Sequence, residues 1–139
     1  MSMNLIPGIQ STSSALTAEK LRLDMVAQNI ANANTTQDLN GEVYKRKEVI
    51  FESSLKRAEN GNVYKGVNVV EIRDDNSPGK KVYRPGHPHA DERGMVQMPN
   101  VEVTKEMVDL ITASRSYEAN LTVVRTARQM AQQALRIGR

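Results

Sequence analysis

The sequence predicts an α+β protein in which long N- and C-terminal helices pair as an antiparallel coiled coil, with a small β-rich region between them. Apolar residues recur at heptad spacing near both ends, and short β-rich runs alternate with turn residues in the middle. At 139 residues the chain is long enough for one ordinary folding unit. We expect a first helical segment at 1–36, a β-rich segment at 37–100 and a second helical segment at 101–139.

The first helical pattern covers residues 7–33. Pro7 suits the first position of a helix, where no amide hydrogen is needed. One apolar stripe recurs every seven residues and consists of Ile9, Leu16, Leu23 and Ile30. Asparagines at 29, 32 and 34 and the polar run at 35–38 follow, so we expect the helix to end there.

The sequence pattern in the middle of the chain is typical of short strands joined by turns. The predicted strands are residues 42–51, 67–73, 80–84 and 94–98. The predicted turns are Asn40-Gly41, Asn60-Gly61, Asn76-Ser77-Pro78-Gly79 and Pro85-Gly86. These features indicate a small β region without an internal repeat.

The second helical pattern is longer and covers residues 104–137, with Gly138 as its stop. A continuous seam with spacings of three and four consists of Met107, Leu110, Ser114, Tyr117, Leu121, Val124, Arg128, Ala131 and Leu135. A second apolar stripe consists of Val123, Ala127, Met130, Ala134 and Ile137. A helix with two apolar seams requires two neighbours to cover them.

The energy of the second helix favours assembly with other chains. Burial of its apolar seam residues contributes on the order of 10 to 20 kcal/mol. Ordering the backbone opposes this by roughly 1 to 2 kcal/mol per residue, and backbone hydrogen bonds offset only part of that cost. We therefore expect helices that are partly disordered in the free monomer and become ordered when several copies pack together.

The net charge of +3 arises near the C-terminus, since residues 104–139 carry six basic and three acidic side chains. One alternative hypothesis is a basic helical adaptor that binds nucleic acid through residues 104–139. Proteins that read single-stranded nucleic acid usually interleave aromatic and basic residues, whereas aromatic residues make up only 4% of this chain. A solvated helix face with arginines near its C-terminal end explains the same charges, so we predict no nucleic-acid partner.

The residues of the chain do not favour catalysis, and we predict a protein that is not an enzyme and has no cofactor. Cysteine is absent, which excludes disulfides and thiolate metal sites. The run His87-Pro88-His89-Ala90-Asp91 has metal-ligand spacing, but a polar turn explains it equally and we assign no metal site. The N-terminus lacks a basic region followed by a long apolar run, so we predict neither a cleavable signal peptide nor membrane insertion.

Three stretches carry a resemblance to a known family. The first is Asn29-Ile30-Ala31-Asn32-Ala33-Asn34-Thr35. The second is Pro85-Gly86-His87-Pro88, followed by Ala90-Asp91, Gly94 and Met98-Pro99-Asn100-Val101. The third is Glu106-Met107-Val108, followed by Ser114-Arg115-Ser116-Tyr117-Glu118-Ala119-Asn120. In order and spacing they resemble the axial proteins of the bacterial flagellum, most closely the proximal type of basal-body rod protein.

The resemblance implies a subunit of the flagellar rod that transmits torque and polymerises through its terminal helices. It also implies export without cleavage through the flagellar type III apparatus, with copies of itself and neighbouring rod proteins as partners. By position, Asn29, Asn32 and Thr35 would fix the end of the first helix. The expected assembly residues are Leu16, Leu23, Asn29, Ile30, Asn32, Thr35, Met107, Leu110, Tyr117, Asn120, Leu121, Val124, Ala131 and Leu135.

Overall fold

A computed structural model describes residues 7–57 and 63–138 of the chain. Within these ranges the chain forms two long helices and two small antiparallel sheets, so the predicted α+β class is confirmed. In chain order the elements are α1 (Pro7–Ala31), β1 (Lys47–Arg57), β2 (Val63–Asp74), β3 (Lys81–Tyr83), β4 (Met95–Gln97) and α2 (Val103–Ile137).

Helix α1 begins at Pro7 as predicted and ends at Ala31, two residues before the predicted end. A turn stabilised by polar side chains follows it. The backbone N–H of Thr35 donates to the carbonyl oxygen of Asn32 at 3.0 Å, and the Thr35 hydroxyl donates to Asn32 Oδ1 at 3.1 Å. These bonds offer the backbone an alternative to the helical pattern and account for the early end.

Strands β1 and β2 form an antiparallel hairpin in which Lys47 pairs with Asp74 and the register shifts once, between Ile50 and Phe51. The predicted start of β1 at residue 42 is wrong. Asp38 Oδ1 accepts the backbone N–H groups of Asn40 and Glu42, which holds that segment in a turn. The other three strands match the predicted positions within four residues, and the predicted turn at 60–61 lies outside the described residues.

The β1–β2 hairpin lies against α1. At the outer edge of β2, the Ser11 hydroxyl donates to the carbonyl oxygen of Lys65, and Ser14 Oγ accepts the backbone N–H of Val67 at 3.0 Å. Helix α1 therefore satisfies edge groups of the hairpin that would otherwise be open to pairing with another strand.

The second sheet, β3–β4, is held close to the start of α2 by a glycine. A Cβ atom at Gly79 would lie only 1.9 Å from the carbonyl oxygen of Met98. The backbone N–H of Met98 donates to the carbonyl oxygen of Lys80 at 2.8 Å, which extends the β3–β4 pairing. This close approach sets the path of the chain into α2.

Helices α1 and α2 contact each other and run in opposite directions. Asn29, near the end of α1, bonds to Glu106 near the start of α2, and Arg22, two turns earlier in α1, pairs with Asp109 one turn later in α2. At about 1.5 Å per residue, α2 is about 52 Å long and α1 about 37 Å. The C-terminal part of α2 therefore extends beyond the start of α1.

The inward face of α2 differs in part from the predicted seam. Buried and half-buried positions recur at Glu106, Leu110, Ala113, Tyr117, Asn120, Val124, Ala127 and Ala131. Of the predicted seam, Met107, Arg128 and Leu135 are exposed. One row of the face lies one residue earlier than predicted, because small and polar residues occupy it and apolarity alone does not identify them.

The core is thin within the described residues. The buried apolar residues are Ala18, Met25, Val26, Ala33, Val96 and Ala113. Two polar side chains, Asn29 and Glu106, have no exposed surface at all. In the described part of the chain, neither helix combines the length and the apolar character that crossing a membrane would need.

Candidate functional site

The carboxamide of Asn29 connects α1 with β1 and α2. Its Nδ2 donates to the carbonyl oxygen of Lys47 at 2.9 Å and to Glu106 Oε2 at 3.0 Å. Its Oδ1 accepts the backbone N–H of Lys47 at 2.8 Å and the Tyr44 hydroxyl at 2.9 Å. Both polar atoms are thus fully used, and the side chain pairs with Lys47 as a neighbouring strand would.

Glu106 is a buried carboxylate that depends on Arg46 for its charge balance. Arg46 Nε donates to Glu106 Oε1 at 2.6 Å, and the guanidinium also lies 3.8 Å from Asp109 and 4.0 Å from Glu48. Burial by itself lowers the pKa of Arg46. The hydrogen bond and charge of Glu106, together with the charges of Glu48 and Asp109, outweigh burial and raise that pKa. The guanidinium of Arg46 therefore remains charged.

Tyr44 contributes a protonated hydroxyl that bonds to the same Asn29 side chain. Burial, followed by the negative charges of Asp74 and Glu106, raises the pKa of the Tyr44 phenol above its usual value of 10.0. The phenol therefore keeps its proton at neutral pH and donates it to Asn29 Oδ1.

Asn100 connects the entry of α2 to both ends of the hairpin. Its Oδ1 accepts the backbone N–H of Arg46 at 2.8 Å, and its Nδ2 donates to the carbonyl oxygen of Asp75 at 2.9 Å and to Ser77 Oγ at 3.1 Å. The Asp75 carboxylate accepts the N–H of Ser77, and that hydrogen bond lowers the pKa of Asp75. The connection is made chiefly by backbone groups.

These contacts bring together residues from all three stretches that carry the family resemblance. We name the cluster of Asn29, Tyr44, Arg46, Asn100 and Glu106 the motif junction. Asn29 belongs to the first stretch, Asn100 to the second and Glu106 to the third. Asn29 bonds to Lys47, and the other two bond to Arg46. The junction can hold the two helices and the β region in one fixed arrangement.

Sequence reasoning predicted Asn29 as a site residue and missed Tyr44, Arg46, Asn100 and Glu106. A signal for Glu106 existed in the heptad row that it shares with Ala113, Asn120 and Ala127. Nothing in the sequence marked Tyr44 or Arg46, because their partners lie far along the chain. Asn32 and Thr35 form the turn after α1 and do not belong to the junction.

The run from His87 to Asp91 forms polar turns. His89 Nδ1 lies 2.8 Å from the Thr36 hydroxyl, and the backbone N–H of His89 donates to His87 Nδ1 at 3.1 Å. The Asp91 carboxylate accepts the N–H groups of Arg93 and Met95. Among the described residues, no three histidine or acidic side chains are grouped so as to hold a metal ion.

The expected assembly residues divide into two groups by exposure. Met107 and Leu135 are exposed, at 52% and 55%. The others are buried or half-buried within the chain and are Leu16, Leu23, Asn29, Ile30, Asn32, Thr35, Leu110, Tyr117, Asn120, Leu121, Val124 and Ala131. Most of these side chains are therefore already packed inside a single copy.

The second apolar stripe of α2 is mostly exposed. Its large residues Val123, Met130 and Ile137 are 54%, 58% and 85% exposed and lie seven residues apart. Ala127 is half-buried and Ala134 is exposed between them. We name these five residues the C-terminal stripe. Its heptad spacing is typical of a surface that receives another helix.

A buried polar junction that fixes two terminal helices, combined with an exposed heptad stripe, defines a structural subunit. Residues 9–37 match the family model described as flagella basal body rod protein, and residues 92–137 match that of the flagellar basal body rod FlgEFG protein C-terminal region. Both matches contain residues of the motif junction.

The chain is also similar to proteins named flagellar basal-body rod protein FlgC. The protein of Yersinia enterocolitica is 41% identical over 98% of this chain and 99% of its own length. That of Bacillus subtilis is 39% identical over 99% of this chain and its full length, and that of Aquifex aeolicus is 42% identical over 86% of each. The chain therefore belongs to the flagellar basal-body rod proteins of the FlgC type and is a structural subunit of the rod.

Proposed function

We propose that the chain polymerises through its terminal helices to form part of the proximal rod, the shaft that transmits torque from the motor. The exposed C-terminal stripe carries this proposal, because an apolar heptad row on a long helix is the pattern that packs against another helix. Copies of the same chain and neighbouring rod proteins are the partners, as the names of the relatives suggest.

In this proposal α1 and α2 form an antiparallel coiled coil that lies in the inner layer of the rod. Residues 1–36 and 101–139 belong to that layer, and residues 37–100 lie outside it. The motif junction supports the division, since Arg46 and Lys47 bond at the same point to α1, α2 and the entry of α2. Force on the helices is thereby passed to the β region through buried, charge-assisted hydrogen bonds.

The same proposal includes how the chain is exported and what it does not require for its function. It reaches the basal body through the flagellar export apparatus without loss of a signal peptide, and it works without catalysis, a cofactor or nucleic acid. The names of the relatives support a structural role, as none refers to a reaction.

The test is a charge placed in the C-terminal stripe. Met130→Asp introduces a carboxylate at an exposed position, so the monomer keeps its fold while a contact with another helix is lost. Gln129→Asp is the matched control, because it adds the same charge one residue away and outside the stripe. In cells whose only copy carries Met130→Asp we expect loss of motility and truncated rods in electron micrographs of basal bodies.

The control cells should swim and show complete rods. Complete rods with Met130→Asp would contradict assembly through this surface. Val124→Asp, at an expected assembly residue, is a less specific test, because Val124 is half-buried inside the chain and the change would also disturb the monomer.

A further inference from the structure

The β3–β4 sheet turns one face toward the core and the other face outward. Val82 pairs with Val96, which has no exposed surface, so this pair defines the inward face. Lys81 and Tyr83 are the alternate residues of β3, and both are exposed on the opposite face. The outward face of the sheet therefore presents one cation and one aromatic ring.

Tyr83 is held in place on this outward face. A Cβ atom at Gly94 would lie only 2.9 Å from Tyr83 Cε2, and the φ of 73° at Gly94 favours glycine there. The ring thus packs against the backbone of Gly94, while 67% of the tyrosine stays exposed. An exposed ring that is already fixed loses little entropy when a partner covers it, and tyrosine is a common anchor of protein interfaces.

Two arginines extend the positive charge around this tyrosine. Arg84 follows it in the chain, and Arg93 lies in the turn before β4. Within residues 7–57 and 63–138, no carboxylate lies within 4.0 Å of Lys81, Arg84 or Arg93, although Asp91 and Glu92 are close in sequence. We name this surface the cationic face, and it consists of Lys81, Tyr83, Arg84 and Arg93.

The outward face of the β1–β2 hairpin carries the opposite charge. Val49 lines a cavity with Met25 of α1, so that side of β1 faces the helix. Glu52 and Ile50 lie on the other side of β1, and Glu71 is directly opposite Ile50 in the register. Both carboxylates are exposed, and in the described part of the chain neither has a cation within 4.0 Å.

The hairpin face stays negative after its internal ion pair is taken into account. Glu48 lies on the same side as Glu52 and pairs with Arg73 at 3.2 Å, so these two charges cancel. Val70 has no partner in β1 because the register shifts there, and it is 57% exposed beside Glu71. We name this surface the acidic face, and it consists of Glu52, Val70 and Glu71.

We propose that the β regions of neighbouring copies contact each other, with the cationic face of one copy against the acidic face of the next. The inference rests on the proposed polymerisation, but it concerns the two small sheets and not the terminal helices. The charges of both faces have no partner inside the chain, so the contact breaks no existing ion pair. Complementary charges specify the orientation of two surfaces more than they add affinity. The contact therefore sets how adjacent β regions face each other.

Charge reversal on one face, followed by reversal on the other, tests this contact. In cells whose only copy carries Lys81→Glu and Arg84→Glu, like charges meet and we expect the swimming halo on soft agar to shrink several-fold. Addition of Glu52→Lys and Glu71→Lys to the same chain restores opposite charges and should restore most of the halo. Loss of swimming that these changes do not repair would overturn a contact between copies, since the cationic face would then bind a different partner.

Lys65 and Lys80 provide the matched control for the charge reversal. Both are exposed and unpaired among the described residues, and Lys80 lies beside Lys81 but on the other side of the strand. Cells with Lys65→Glu and Lys80→Glu should swim normally. All these variants should unfold at the same urea concentration as the natural chain, because the changed side chains are exposed. Normal swimming of cells with Lys81→Glu and Arg84→Glu would overturn the proposal.

Cross-linking of the natural chain tests the same contact without any substitution. A water-soluble carbodiimide activates a carboxylate, and a lysine amine in direct contact displaces the activating group to form an amide. In treated basal bodies we expect a product of twice the chain mass in which Lys81 is linked to Glu52 or Glu71. Lys80 should not be linked to either glutamate. Absence of the Lys81 link would overturn the contact.

The two proposals fail in different ways. Complete rods with Met130→Asp would contradict assembly through the C-terminal stripe. Normal swimming after charge reversal, or the absence of the Lys81 link, would leave that assembly intact. Those results would reject only the contact between β regions.

Discussion

Glu106 is buried, and its carboxylate bonds to Arg46 and Asn29. Removal of Arg46 leaves that carboxylate buried with only the amide as a partner. We therefore predict that Arg46→Ala lowers the free energy of unfolding by about 3 to 5 kcal/mol, as for other broken buried pairs. Urea denaturation of the purified chain, followed by circular dichroism, measures this change.

Arg73 is the matched control for Arg46. It pairs with Glu48 at 3.2 Å, but both side chains are about half exposed. Surface pairs of this kind contribute about 0 to 1 kcal/mol, so Arg73→Ala should change the free energy of unfolding little. Equal losses for the two variants would show that the motif junction is not a special source of stability.

Tyr44 gives the junction a dependence on alkaline pH. Because the folded state raises the pKa of its phenol, its contribution to stability is complete below pH 10.0 and falls as the pH rises through the folded pKa. We predict that the free energy of unfolding falls more steeply in this range for the natural chain than for Tyr44→Phe. Urea titrations at a series of pH values measure the difference, and identical slopes would contradict the assigned role.

At the scale of the elements, the two halves of α2 differ in what holds them. The first half is bonded to α1 and to Arg46 through Glu106 and Asp109. The last turns extend past the start of α1, and the second half exposes the C-terminal stripe. The partial disorder expected of the free helices should therefore be concentrated in residues 123–137.

Hydrogen exchange of the purified chain tests this difference within one helix. Amides of residues 123–137 should exchange much faster than those of 106–117, because local opening there breaks few buried contacts. In isolated basal bodies, the same amides should become protected by neighbouring subunits. Equal protection throughout α2 in the free chain would mean that the helix is fully ordered before assembly.

Heptad spacing was sufficient to predict both helices from sequence, and their starts lie within one residue of the predicted positions. The inward face of α2 was harder, since Glu106 and Ala113 occupy positions where the apolar pattern favours Met107 and Ser114. A buried charge can be recognised only when its partner is known. Here the partner Arg46 is 60 residues away in sequence.

At the scale of the whole molecule, the family resemblance identified the three stretches that contribute to the motif junction. It did not predict that residues from these stretches contact each other. Asn29, Asn100 and Glu106 are brought together by the path of the chain through the hairpin, which local patterns do not encode. The thin core was foreseeable from the few aromatic residues. A small subunit of this kind has much of its apolar surface left for contacts with other chains.

The positive charge of the molecule provides a test that distinguishes assembly from the alternative of nucleic-acid binding. Arg125 and Arg136 are exposed on α2, and in a rod subunit they are dispensable relative to the C-terminal stripe. We predict that the double variant Arg125→Ala, Arg136→Ala supports motility, with a loss of at most about 1 kcal/mol from the helix dipole at Arg136. A nucleic-acid adaptor would instead bind duplex DNA more weakly after this change. The slope of the logarithm of the binding constant against the logarithm of the salt concentration would then flatten by about 0.9 for each lost phosphate contact. The assembly role of α2 would be contradicted if the natural chain bound DNA in a salt-dependent way and cells with the double variant did not swim.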